Sequence, residues 1–543
     1  MMHIRNASLR YTRTVFTIAS LLLLLVVDAQ ARPFRGSVKW SFILCRFQDG
    51  GTPPNNPDYY RNLLLRVGTG GVGDYWNDIS YANLNLDGSV VVGWYTMPIT
   101  KAQGEARDRW GRVNACRDAA RDASVNPYTP PSDHKVGIIT FPDIDMFGWN
   151  GGAFLPYQID VGGVIHETGH GIGLNHSFSN DPNYRNADWA QIGEYDDPWD
   201  VMSWGNAFRV PTPFGDGPVG LVGPQLDRMG WLPRPRIVTF GADGRGSATL
   251  TLAALNRPET PGALLVRIPF DPGDLQRHYT VELRPKIRWD AGISDNTVLI
   301  HEVQRHSDGL YYAHLVYELS PTKRPAQTLS ANGITINVNS INIAANTATV
   351  TITSQMVERC VMGFVWREAN ANDKVCVTTA LRTQTREENN LAASRRSPTG
   401  GPFGPDTCRQ GFVWREAFPG DHVCVPPSSR TQARADNAEA ANRSNPSRLA
   451  FGPNTCRPGF VWREADDWDW VCVSGQVRTE TRNDNALAAS RRSPTGGPFG
   501  PDTCRQGFVW REAFPGDHVC VLPATRTQAR NDNAQAEARL AAP

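Results

Sequence analysis

The 543-residue chain has almost no net charge, because 55 lysines and arginines stand against 54 aspartates and glutamates. That balance removes any bulk electrostatic case for nucleic acid or an anionic membrane surface as a partner. Beyond residue 31 no apolar run approaches the roughly 20 residues that a spanning helix needs, so no transmembrane segment is expected in the mature chain. There is no C-x2-C pair of the kind that closes structural zinc sites, and no G-x-S-x-G or placed Cys-His pair that would indicate a serine or cysteine nucleophile. The 49 glycines and 40 prolines leave little room for long helices and favour strands and turns. A chain this long exceeds one core, so several domains are expected.

What is present begins with Arg5, Arg10 and Arg13, an apolar run from Val15 to Val27, and Ala29-Gln30-Ala31. The run is too short to span a bilayer and ends in an A-x-A site, which predicts a secretory signal peptide over 1–31 and a secreted, extracellular protein that can carry disulfides.

Eight of the ten cysteines form a grid: Cys360, Cys408, Cys456 and Cys504 are 48 residues apart, and Cys376, Cys424, Cys472 and Cys520 each follow 16 positions later. This is a tandem array over 357–543. Each unit reads G-F-V-W-R-E-A, a polar turn and V-C-V, a hairpin pattern. Residues 391–425 recur unchanged at 487–521, as if two units were copied as a 96-residue block. Pairing within each unit is the preferred connectivity, since a unit with so small a core needs the roughly 3 kcal/mol of such a closed loop. A zinc site is the competing use of these cysteines. Cys45 and Cys116 remain as a candidate staple for the N-terminal domain.

From 236 to 356 short runs such as Ala248-Thr249-Leu250-Thr251-Leu252 alternate apolar and polar residues, which predicts an antiparallel β-sandwich. Residues 32–235 mix types. Val38–Cys45 and Lys135–Phe141 read as strands, while Pro57–Val67 and Ala102–Ala123 read as helices, giving an α+β domain.

The chemistry concentrates in Val161–Ser177, V-G-G-V-I-H-E-T-G-H-G-I-G-L-N-H-S. Val161, Val164, Ile165 and Thr168 follow helical spacing on one face, and His166 and His170, four apart, lie one above the other on another, able to share a metal ion. Glu167 is the candidate catalytic base. His176 would point away if the helix continued, so the chain must turn, and Gly173 can adopt the left-handed conformation required. The full pattern has a chance expectation on the order of a few in 100,000. His301, Glu302 and His306 lack the four-residue spacing and read as structural.

H-E-T-G-H-G-I-G-L-N-H resembles the extended zinc motif of the metzincin metalloproteases, and Met202 in D-P-W-D-V-M-S-W fits the methionine turn beneath their metal. The run Glu194-Tyr195-Asp196-Asp197 ahead of it, with G-P-Q-L-D-R-M-G-W-L, looks most like gametolysin-type and immune-inhibitor-A-type secreted peptidases. The resemblance implies a metzincin-like catalytic domain, a zinc cofactor on His166, His170 and His176, Glu167 as general base for water, Gly173 and Met202 as structural support, and protein or peptide substrates. Two residues after Met202 stands Trp204, where some members carry a metal-approaching tyrosine, so no tyrosine switch is expected there. The interval from Ala31 to Val38 is too short for an inhibitory pro-segment. The alternative is an inactive surface-adhesion or cell-wall-binding protein, against which stands the presence of every ligand and the base.

Other features have plainer readings beside sharper ones. Asp143 and Asp145, with Asp196, Asp197 and Asp200, could hold a structural calcium ion, but turn and loop roles account for them more simply. Trp366, Trp414, Trp462 and Trp510 recur in register and could anchor the tail to a cell-wall or matrix ligand; as the largest apolar residues of small units they are expected to be core.

Overall fold

The computed structural model describes residues 35–241, 246–271, 274, 276–320, 327–354, 360, 363–371, 373–443 and 452–541, and the expected signal peptide lies outside them. In the N-terminal region the segment Trp40–Phe47 is buried on both faces, as a central parallel strand must be. It pairs in parallel with Val90–Met97 on one side and Lys135–Phe141 on the other. The sheet continues through Gly152–Pro156 to an antiparallel edge strand, Phe147–Trp149. Parallel pairs need crossovers, and these carry helices Pro57–Leu64, Val72–Ile79 and Arg109–Arg121. The helix expected over 102–123 is divided: Lys101–Glu105 ends early, and Asp108 caps Arg109–Arg121 through the Gly111 N–H at 2.6 Å. A cap at Asp108 satisfies end groups that a continuous helix would not have exposed. The Cys45–Cys116 disulfide ties that helix to the central strand.

The alternating segments after residue 236 form the expected two-layer packing. A six-stranded sheet, in the order Ile237–Thr239, Leu265–Pro269, His278–Arg284, Thr297–Arg305, Tyr311–Leu319 and Phe178–Ser179, faces a four-stranded sheet of Ser247–Ala253, Thr347–Ser354, Ile334–Asn342 and Thr328–Ala331. Val281, Leu283, Val298 and Ile300 from the first layer bury against Ile336, Val350 and Ile352 from the second. The pairings are antiparallel except at the two edges of the six-stranded sheet.

One of those edges is Phe178–Ser179, which comes from the N-terminal region. The boundary drawn at 235 therefore crosses a sheet. Trp199, Val219 and Val222 pack with Ile293, Leu299 and Leu315 across it. Buried polar groups cross it as well: Asp227 with Arg267, the Glu282 carboxylate with the Gly223 N–H at 2.5 Å, and Asp197 with His301 at 3.0 Å.

All four tail disulfides join cysteines 16 residues apart within a unit, as preferred from sequence. The hairpin strands are two residues long, and the polar stretches between hairpins are helices, Thr379–Arg395, Pro427–Ala438, Gly475–Arg491 and Pro523–Ala534. The repeated tryptophans are only half-buried, contrary to expectation. The interior is instead an ion pair: Arg367, Arg415, Arg463 and Arg511 are buried and each grips the aspartate six residues on, Asp373, Asp421, Asp469 or Asp517. Arg367 also donates to Ala417 O and Ala433 O, and Arg463 to Ala513 O and Ala529 O. Units one and two, and units three and four, thus complete each other, which gives the 96-residue block its structural meaning.

The third unit differs from its sisters in its turn, Asp466-Asp467-Trp468-Asp469-Trp470, and that turn docks on the N-terminal region. Arg35 pairs with Asp466 at 2.8 Å, the Trp468 indole donates to Trp231 O, and Arg234 donates to Asp467 O and Asp469 O. Trp470 is fully buried there.

Candidate metal centre

The helix Val161–Gly171 is buried along nearly its whole length, packed against the strands Gly152–Pro156 and Phe147–Trp149. It ends as anticipated. Leu174 N–H returns to Gly169 O at 2.9 Å, and Gly173, at φ +94°, turns the chain so that His176 comes back over the helix. Met202 lies directly below: a Cβ on Gly169 would meet its Sδ at 2.8 Å, so this approach requires glycine. Asp200 fixes the turn that carries Met202, accepting the Met202 N–H and the Ser177 hydroxyl at 2.8 Å each.

His166, His170 and His176 come together, one nitrogen from each within 4.8 Å of the others, the one such cluster of metal-binding side chains among the described residues. Each Nδ1 faces an oxygen: Val201 O at 3.0 Å, Leu174 O at 2.9 Å and Glu194 Oε1 at 2.6 Å, respectively. Carbonyls and carboxylates only accept, so Nδ1 carries the proton in all three rings and the Nε2 lone pairs are left to converge. The Nε2 atoms of His166 and His170 are 3.2 Å apart. Two lone pairs at that separation repel, whereas nitrogens around a tetrahedral zinc ion at about 2.0–2.1 Å lie roughly 3.3 Å from one another. The residues present therefore fit a zinc ion.

Burial disfavours protonation of all three imidazoles, and the neighbouring His170 ring adds to this for His166 and His176. His166 is pushed well below the usual histidine range, His170 is lowered, and His176 falls to about 3. Glu167, 5% exposed, sits beside the edge strand, where a Cβ on Gly148 would touch its Oε2. Burial raises its carboxyl to about 8, with Arg109 opposing and Asp145 adding to the rise. A carboxyl poised near neutrality can both take and return a proton.

Two neighbours were not singled out as site residues by the sequence. Glu194 orients His176, and Tyr195 lays its ring 3.9 Å from that of His176 and 6.1 Å from that of His166. Tyr195 holds a left-handed φ of 61°, fixed by its N–H to Ser177 O and by Asn206 Nδ2 donating to its carbonyl. Burial, then the charges of Glu194 and Glu167, raise its phenol to about 12. Trp204 is elsewhere, packed over Gly162 with Arg209 on its ring. The only sequence signal for this pair was the acidic run that contains it, which does not reveal which side chain turns inward.

The five aspartates weighed for calcium do not assemble. Asp145 binds Arg112, Asp143 accepts from Tyr157 N–H, Asp196 from Asn186 and Ala187 N–H, and Asp197 and Asp200 have the partners given above. His301 and Glu302 pair with Asp197 and Arg277, and His306 contacts His314, the structural roles expected of them. No helix among the described residues is long and apolar enough to cross a membrane. The five disulfides suit an oxidising, extracellular compartment. Comparison with known protein families and with curated proteins returns no match.

Proposed function

We propose that this chain is a secreted zinc-dependent endopeptidase of the metzincin type, cutting peptide bonds of extracellular proteins. The observation that carries the reading is the convergence of three Nε2 lone pairs, each fixed by an acceptor on Nδ1, beside a buried carboxyl near neutrality. His166, His170 and His176 would hold the ion, which supplies polarisation of a substrate carbonyl and acidification of a water. Glu167 then serves as the proton carrier: it accepts the proton of the attacking water and delivers it to the leaving amine.

Other features support a peptide substrate. Phe147–Trp149 is the last strand of its sheet and runs past Glu167, so its outer row of backbone groups can pair with an extended chain. Trp110, Met146, Trp189 and Ile192 are exposed large apolar residues in the segments around the site. In the tail, Phe403 and Phe499 stand exposed beside Trp414 and Trp510, which favours the alternative to a core role, the holding of a cell-wall or matrix ligand by the repeats. The direct test is casein hydrolysis and zinc analysis of the secreted protein with and without o-phenanthroline. About one zinc per chain and chelator-sensitive cleavage are expected, and absence of bound zinc overturns the reading.

The Tyr195 ring lies against that of His176 and its phenol stays protonated at neutral pH, which makes it the candidate donor to the carbonyl oxygen as negative charge gathers there. Tyr195→Phe should lower kcat by roughly 10- to 100-fold and leave KM nearly unchanged. An unchanged kcat in steady-state kinetics removes this role.

The depressed histidines give a pH prediction. An exposed three-histidine site loses metal as pH falls through about 6.5, where its rings protonate. Here protonation is displaced to lower pH, so zinc should survive dialysis at pH 5.5. Metal analysis showing release between pH 7 and 6 contradicts it.

A further inference from the structure

Beside His176 a pocket opens whose walls come from three parts of the chain: His176, Asp227 and Arg228 from the N-terminal region, His278 and Leu310 from the β-sandwich, and Pro453 in the short helix Gly452–Asn454 ahead of the third repeat's first cysteine. His278 is 1% exposed, and its Nδ1 lies 2.6 Å from Gln276 O. A carbonyl oxygen only accepts, so the proton is on Nδ1 and Nε2 presents a lone pair. That Nε2 is buried and has no hydrogen-bond partner among the described residues. Burial, helped by the Arg267 charge, drives the ring down to about 3, so it stays a neutral acceptor across the working range. A buried acceptor left empty on a pocket wall is a recognition element awaiting a donor.

Resting on the endopeptidase reading above, we infer that this pocket receives one side chain of the peptide substrate and that His278 Nε2 selects a side-chain amide, that of glutamine or asparagine. An amide N–H satisfies Nε2. A carboxylate sets its own lone pairs against Nε2. The wall also carries Asp227, paired with Arg267, and the Arg267 charge that lowers His278 disfavours a lysine or arginine tip beside its Nε2. An aliphatic side chain leaves the acceptor empty, and sites built around a hydrogen bond discriminate strongly against partners that lack it.

The test is cleavage-site mapping by the full-length, zinc-loaded protein on a library of peptides from a digested proteome, followed by kinetics on matched peptides. Glutamine or asparagine should be enriched at one fixed position from the cut. Replacing it by glutamate or leucine should lower kcat/KM about tenfold or more. His278→Phe should flatten this preference. Leu310→Trp should do the same by obstructing the pocket, from a position 36% exposed whose change does not threaten folding. Cleavage with no amide preference, or a preference that both variants leave intact, overturns the inference. Absence of all cleavage by the zinc-loaded wild type overturns the endopeptidase reading instead.

Discussion

Glu167→Ala is expected to lower kcat by roughly 10²- to 10⁴-fold while zinc content stays at that of the parent. The carboxylate is not among the convergent donors, whereas every imidazole keeps its Nδ1 acceptor in the variant. The same change should leave the metal-free protein as stable or more stable. An acid raised by burial from 4.5 to about 8 favours the folded state only while protonated. Its ionisation in the unfolded chain therefore draws stability away as pH rises from 4.5 towards 8, and alanine removes that loss. Kinetics and metal analysis of the purified variant, with thermal melts of the metal-free forms at pH 5 and pH 8, check both parts. Retained hydrolysis at the parental rate would remove Glu167 from the chemistry.

The second large effect lies far from that centre. Asp469→Ala should destabilise the paired third and fourth units by about 3–5 kcal/mol, because it strands Arg463 in the interior. The two groups bond at 2.8 and 3.0 Å, and Asp469 also accepts the Ala465 N–H at 2.9 Å. Burial alone would raise the Asp469 carboxyl, but the Arg463 charge and hydrogen bond hold it below the usual carboxylate range. Its contribution is thus present above about pH 4 and lost on acidification. Replacing both partners, Arg463→Met with Asp469→Leu, should recover most of the loss, since an apolar pair needs no compensation for desolvated charge. Thermal denaturation and limited proteolysis of the tail measure this. A cost below about 1 kcal/mol for Asp469→Ala, the range of an exposed pair, contradicts it.

What the sequence revealed depended on how local each constraint was. His166 and His170 share a helix face by arithmetic, and Gly173 is legible because few other residues tolerate its conformation. The cysteine grid is legible because its spacing repeats. Arg463 and Asp469, six apart around a polar turn, look like surface charges; only the contacts of Arg463 with Ala513 and Ala529, 50 and 66 residues away, place them inside. Tyr195 and His278 gain meaning from neighbours brought by the fold. Phe178–Ser179 is too short to show a strand pattern, so nothing in the local sequence announces that it joins a distant sheet.

That two-residue strand has a consequence for what can be inherited or engineered separately. A gene truncated after codon 235 would encode a protein whose Trp199, Val219 and Val222 meet water instead of Leu299 and Leu315, and whose Asp197 and Asp227 lose His301 and Arg267. Residues 35–354 therefore travel together, and the third repeat, whose Trp470 and Trp468 dock on them, belongs to the same unit. Swapping the second part between relatives would exchange a wall of the first, so new specificities must be traded with the two halves as one.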